Sequence, residues 1–249
     1  MISVCMATYN GEKYIVQQID SILTQLKKED ELIISDDGST DNTIKVIQNT
    51  YKDQRIRIVS NEGNHGYTPN FYNALKYARG DYIFLSDQDD IWMPNKVEVV
   101  VCYLKSYDFV HTDAKIVDAD LNLINESHNN YYGSKEGFIN NLLRSRYLGC
   151  CMAFNRKVLN SLFPVPCYSN NYPHDLWVAL IAEFYYKSKQ IDEPLLMYRR
   201  HDKNASDGGN SNDKGIVQII KKISYRFYYF YYILRQFSKV RHVRGVENE

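Results

Sequence analysis

The first hundred residues alternate between two periodicities, and that alternation restricts the fold more than any other feature. Residues 2–7 (ISVCMA), 31–36 (ELIISD), 55–61 (RIRIVSN) and 81–86 (DYIFLS) have the length and apolar content of strands. Between the first two, Tyr14, Ile15, Ile19, Ile22, Leu23 and Leu26 form a helical stripe over residues 12–26. Asp41 reads as a helix cap followed by Ile44, Val46 and Ile47. Residues 69–78 read as a third helix, and Pro94 fits the first turn of a fourth. Strands joined through helices need right-handed crossovers, which predict an α/β, Rossmann-like and mostly parallel sheet flanked by helices.

Beyond residue 108 the rhythm changes. Strands are expected at 108–118, 149–155 and 194–200, a turn at 118–121, and helices at 136–146 and 175–186. Residues 201–215 (HDKNASDGGNSNDKG) read as a mobile polar loop, and the pattern from 216 onward is helical.

Ligands of open α/β sheets bind beyond the carboxyl ends of the strands. Three polar motifs fall there: residues 7–11 (ATYNG), 35–41 (SDDGSTD) and 86–90 (SDQDD). Each alone is compatible with a turn, a cap or a solvated acidic loop; three at equivalent strand ends point to one site. The Gly-rich signatures of dinucleotide and P-loop sites are missing, and Trp92 stands where a calcium loop starting at Asp87 needs glycine. In an extended segment Asp87 and Asp89 would point the same way. Carboxylates so crowded call for a positive partner, and a hard divalent cation carrying a diphosphate supplies one.

The 30 basic and 30 acidic residues cancel, so net charge selects no partner. Five scattered cysteines without Cys-x-x-Cys spacing suggest reduced thiols in a cytoplasmic compartment. The opening apolar run is too short for a signal peptide, and no apolar stretch reaches spanning length. Many of the 22 tyrosines cluster near the end, notably at 225–237 (YRFYYFYYILRQF). Between Ile216 and Arg244, Lys221, Lys222, Arg226, Arg235, Lys239, Arg241 and Arg244 are joined by no acidic residue. Such a basic aromatic helix suits an anionic membrane surface; a dimer or domain-packing helix is the alternative, and nothing else in the chain favours nucleic acid.

The stretches TYNG, SDDGSTDNT, ARGDYIFLSDQDDIWMPNK, GCCMAFNRKVL, HDLWVALIA and YRRHDKNAS together resemble the family 2 glycosyltransferases with the glycosyltransferase A fold, over residues 1–206. SDQDDIW and HDLW look most like bacterial polysaccharide rhamnosyltransferases. The resemblance implies a nucleotide-binding half (1–107), an acceptor-binding half (108–206), and an appended loop and tail (207–249). It implies that Tyr9 packs on the base beside Thr8, that Asp37 accepts from the base N3–H, and that Gln88 lies along the nucleotide. Asp87 would contact ribose or metal, Asp89 would bind Mn or Mg, and His201 would reach the metal or diphosphate. Asp175 would be the catalytic base of an inverting enzyme, although as a residue alone it could simply cap a helix. Gly149, Cys150, His174 and Trp177 would lie on the acceptor side, with Trp177 equally readable as core and 149–151 as core strand. The implied activity is transfer from a nucleotide-diphosphate sugar, dTDP-L-rhamnose by resemblance or else a UDP-hexose. The acceptor would be a hydroxyl of a growing cell-surface polysaccharide or lipid-linked glycan, and the enzyme would lie at the inner face of the plasma membrane. A sugar-phosphate nucleotidyltransferase and a non-catalytic sugar-nucleotide sensor are weaker readings: the first lacks its basic Gly-rich loop, the second would not need Asp89 and Asp175.

Overall fold

A computed structural model describes residues 1–165, 173–202 and 216–245. The first half follows the predicted alternation: β1 (Ile2–Thr8), α1 (Ile15–Leu23), β2 (Glu31–Asp36), α2 (Thr43–Thr50), β3 (Ile56–Ser60), α3 (Tyr67–Tyr77) and β4 (Tyr82–Ser86). Then come β5 (Ile91–Trp92), α4 (Lys96–Leu104), β6 (Phe109–Val117), β7 (Leu123–Asn125), α5 (His128–Tyr132), α6 (Phe138–Arg144) and β8 (Met152–Asn155). The chain closes with α7 (Arg156–Leu162), α8 (His174–Tyr185), β9 (Ser188–Arg199) and α9 (Ile216–Gly245).

Among the described residues the strands form one mixed sheet in the order β3-β2-β1-β4-β8-β6-β9-β5, with β7 on β6. The β3-β2-β1-β4 part is parallel; β8 then runs antiparallel to both β4 and β6. Side-chain alternation explains why the central strands are continuous apolar runs. Val4, Met6, Leu32, Ile34 and Phe84 face one buried layer with α1 and α4, whereas Cys5, Ile33, Ile83 and Leu85 face the other with α3, α7 and α8.

Several elements differ from expectation. Residues 149–151 are a short 3-10 turn rather than strand, so β8 begins at Met152. β5, α5 and α7 were not expected: two to seven residues are too few to show a period. Helix α2 starts beyond Asp41, whose carboxylate nevertheless accepts the Thr43 N–H at 2.9 Å. Of the loop expected at 201–215, residues 203–215 lie outside the described residues.

Helix α9 is bound to the body along one face. Tyr229, Ile233 and Val240 are buried in the layer that holds α7 and α8. The Tyr185 hydroxyl donates to the Ile233 carbonyl, and Gln236 Nε2 donates to the Pro164 carbonyl at 3.0 Å. No described helix is long and apolar enough to cross a membrane.

Candidate active site

The parallel strands bring their polar ends to one edge. The β1 terminus supplies Thr8 and Tyr9, β2 supplies Asp36 and Asp37, and β4 supplies the acidic turn 87–90. Gln88 ties the first to the third: its Oε1 accepts from the Thr8 hydroxyl (2.6 Å) and the Tyr9 N–H (3.0 Å), and its Nε2 donates to the Tyr9 carbonyl (3.0 Å). Gly11 is required beneath this lock, because a Cβ there would lie 2.2 Å from Gln88 Oε1. Gln88 is therefore bound to protein, not simply laid along a ligand path. The Tyr9 ring is left 53% exposed, free to offer a face to a planar ligand.

Asp37 is buried and aimed by three donors: Asn61 Nδ2 at 2.7 Å, the Gly66 N–H at 2.7 Å and the His65 ring at 3.2 Å. Asp36 instead folds back on its own loop, accepting from the Gly38 and Ser39 N–H groups. The two carboxylates of the pair are thus held by different partners, Asp36 by its own loop and Asp37 by the 61–66 segment.

The acidic turn departs from the sequence reading. Residues 87–90 bend, so the two-residue period of a strand does not apply. Asp87 groups with Asp90 and the Cys150 sulfur, whose ligand atoms lie within 4.8 Å of one another, while Asp89 turns to His201 with Oδ2 2.8 Å from Nε2. Asp90, which sequence reasoning left unassigned, is fully buried; its Oδ1 accepts the Arg199 N–H and its Oδ2 has no hydrogen-bond partner. Burial, then the charge of Asp89, pushes the Asp87 carboxyl up to about 7, and the same two causes hold Asp90 well above the usual carboxylate range. Lys96 lies buried beside them, its Nζ donating to the Cys150 carbonyl at 2.8 Å and sitting 4.6 Å from the Trp92 ring centre. Burial lowers its pKa against the opposing pull of Cys151, Cys150, Asp90 and Asp87.

This cluster fits a hard divalent cation: it is oxygen-rich, under-neutralised, and holds an unsatisfied buried carboxylate oxygen. Arg199 fastens the turn from behind. Its Nε donates to the Asp89 carbonyl (2.7 Å), Nη1 to the Ala119 carbonyl (2.8 Å) and Nη2 to Gln17 Oε1 (2.8 Å). Sequence alone gave no sign of Arg199, because its partners come from three distant segments.

Asp175 lies in the first turn of α8 and not at its cap, since the helix already begins at His174. Its Oδ1 accepts the Leu176 N–H at 2.7 Å. Burial pushes its carboxyl up to about 6 against that hydrogen bond. Its Cβ lies 3.6 Å from where a Cβ on Gly149 would stand, and the next residue, Cys150, offers its sulfur to the acidic cluster.

The residues given to the acceptor are all buried. Trp177 is corrected to core: it is 1% exposed, its Nε1 donates to the Leu162 carbonyl at 3.0 Å, and Tyr229 packs 5.9 Å away. At N4 of α8 an indole packed against α7 and α9 fills volume instead of meeting solvent. His174 stacks on Phe71 at 3.9 Å and is neutral, burial having lowered its pKa to about 3; both ring nitrogens lack protein partners. A Cβ on Gly149 would lie 2.6 Å from the His174 ring, so that glycine makes room for the histidine. Cys150 offers its thiol to the acidic cluster, while its carbonyl is taken by Lys96.

Several known proteins are similar to this chain. An Escherichia coli protein, the UDP-Glc:alpha-D-GlcNAc-diphosphoundecaprenol beta-1,3-glucosyltransferase WfgD, is 29% identical over 186 residues, 74% of this chain and 70% of that protein. The Staphylococcus aureus TarS 1-349 structure in complex with UDP-GlcNAc superposes with a TM-score of 0.61 at 20% identity, over 82% of this chain and 59% of that one. The mannosyltransferase PcManGT of Pyrobaculum calidifontis, in complex with GDP-Man and Mn2+, gives 0.58 at 18% identity over 98% of this chain. This chain spans 68% of PcManGT and about three fifths of the TarS fragment. These likenesses identify the fold as glycosyltransferase A. The domain described as Glycosyl transferase family 2 matches residues 3–163, and the chain belongs to that family.

Proposed function

We propose that the chain transfers a hexosyl group from a nucleotide-diphosphate donor to a glycan hydroxyl, with inversion at the anomeric carbon. One observation carries the reading: the base ledge (Tyr9, Asp37) is joined through Thr8 and Gln88 to an under-neutralised acidic turn (Asp87, Asp90), and the Asp175 carboxylate stands beside the Gly149–Cys150 segment that reaches that turn.

Tyr9 offers its ring to the base, and Asp37, held in direction by its three donors, accepts from the N3–H common to uracil and thymine. Gln88 keeps Thr8 and Tyr9 in register with the turn. Asp87, Asp89 and Asp90, with His201 against Asp89, are the residues that would hold Mn or Mg, which when bound would neutralise the diphosphate and its leaving charge. Asp175 takes the proton of the acceptor hydroxyl as that oxygen attacks the anomeric carbon. A carboxyl near 6 is mostly ionised at neutral pH, yet more basic than a solvated one. One base and one displacement give inversion.

A UDP-hexose is the favoured donor, because WfgD is named for UDP-Glc and the TarS structure holds UDP-GlcNAc. The motifs SDQDDIW and HDLW favour dTDP-L-rhamnose as the second reading. The diphosphoundecaprenol acceptor in the name of WfgD supports a lipid-linked glycan acceptor at the inner face of the plasma membrane. A thermal-shift panel of UDP-glucose, UDP-GlcNAc, dTDP-L-rhamnose and GDP-mannose, with and without manganese, tests the donor class. A metal-dependent rise with UDP or dTDP sugars supports the reading; a rise with none, or equal rises with GDP-mannose, overturns the pyrimidine assignment.

A further inference from the structure

Helix α9 divides into two unlike faces. Tyr229, Ile233, Gln236 and Val240 are buried against the body. On the other side Phe227 is 71% exposed and Phe237 58%, with Phe230, Tyr231 and Leu234 exposed between them. Positions 227, 230, 231, 234 and 237 follow the helical repeat, so these five side chains form one stripe about 15 Å long. The stripe continues onto α6. The Arg226 guanidinium donates to the Leu142 and Leu143 carbonyls, Phe138 lies 6.4 Å from Phe230, and Leu143 is exposed beside them. A contiguous exposed apolar strip rimmed by polar groups marks an interaction surface.

Charge identifies the partner. Residues 216–245 contain seven lysines and arginines and no aspartate or glutamate. The chain as a whole carries 30 of each sign, so the remaining residues carry a net charge of −7. A local excess of cations therefore lies on the helix that exposes the aromatic stripe. Arg235 and Arg241 are exposed, and the Arg235 guanidinium lies 5.7 Å from the Tyr231 ring centre. An isologous dimer through this stripe would bring the exposed Arg235 and Arg241 of one copy toward those of the other. A bilayer surface with anionic headgroups has no such conflict: it buries the rings at the headgroup boundary and leaves the cations among phosphates.

We propose that the Phe227–Phe237 face of α9 lies on an anionic membrane surface, parallel to its plane. The orientation has a consequence for the site. Helix α9 runs beside α8, touching Trp177 through Tyr229 and Tyr185 through Ile233. Asp175 stands two residues before Trp177. The surface on the bilayer and the proposed base therefore belong to two helices packed side by side.

Sedimentation of the full chain with phosphatidylcholine vesicles, with and without about one third phosphatidylglycerol, tests this directly. The chain should bind the anionic vesicles and lose binding as salt is raised. Two variants separate the contributions while leaving the packed face untouched. Phe227→Ser with Phe237→Ser should lower partitioning by about tenfold or more. Arg235→Ser with Arg241→Ser should lower it by about 30-fold at low salt. Both should keep the wild-type melting temperature and the nucleotide response of the donor panel. A wild-type chain that ignores anionic vesicles overturns the proposal. So does a concentration-dependent dimer that the Phe variant abolishes, or vesicle binding that neither variant weakens.

Discussion

Replacing Asp175 with asparagine should stabilise the protein while removing its activity, and the two effects have one cause. Burial raises the carboxyl from 3.8 to about 6. Each unit is worth about 1.36 kcal/mol, so keeping the group ionised costs the folded state at most about 3 kcal/mol at neutral pH. Partial solvent access reduces that to on the order of 2 kcal/mol. The sign follows from proton counting. Between pH 3.8 and about 6 the folded state binds more protons than the unfolded one, so this group's penalty grows as pH rises through that window and is constant above it. Asparagine keeps an Oδ1 for the Leu176 N–H and carries no charge. Urea unfolding of Asp175→Asn should show a gain of about 2 kcal/mol near pH 7.5, shrinking below about 1 kcal/mol near pH 4. Turnover should fall by about 100-fold or more near pH 7.5, and the gap should close toward pH 4, where the wild-type carboxyl is itself protonated. If Asp175 merely supports the start of α8, the variant will instead be neutral or less stable, with no pH dependence; that result refutes the reasoning.

Gln88→Ala removes the three hydrogen bonds that hold Thr8 and Tyr9, and should weaken donor binding by about tenfold at a stability cost of about 1 kcal/mol, read by titration calorimetry and urea unfolding. Asp89→Ala should abolish the manganese-dependent part of the donor thermal shift, and His201→Ala should weaken it, with the metal-free melting temperature of each within a few degrees of wild type. Trp177→Ala should cost about 3–5 kcal/mol in urea unfolding, because the indole is core; a stable variant with only a raised acceptor KM would restore the acceptor role.

What could be read from the sequence was what depends on local period and on strand ends. The alternation of residues 1–104 gives α1 to α4 and β1 to β4, because each central strand is buried on both faces and so is written as an apolar run. Tyr9, Asp37 and Asp87 were visible because polar residues abruptly end such runs. Features made by long-range contact were not visible. The Asp90–Arg199 bond joins residues 109 apart, and Lys96 reaches Cys150 across 54. The bend at 87–90 exchanges the expected Asp87–Asp89 pairing for Asp87 with Asp90, which no strand period could foretell. Trp177 reads equally as platform or core until Leu162 and Tyr229 are seen around it. The tail's composition announced an amphipathic helix, but only the packed structure separates the Tyr229 face from the Phe227 face.

The proposed function requires one edge of the sheet to hold a pyrimidine nucleotide diphosphate over a divalent metal. Crystals of the chain soaked with UDP and manganese, with anomalous diffraction collected at the manganese edge, would show whether it does. One strong anomalous peak is expected, bounded by Asp87, Asp89 and Asp90 next to the diphosphate, with the uracil against Tyr9 and its N3–H on Asp37. A nucleotide bound away from Tyr9 and Asp37, or a manganese peak that avoids the acidic turn, contradicts it.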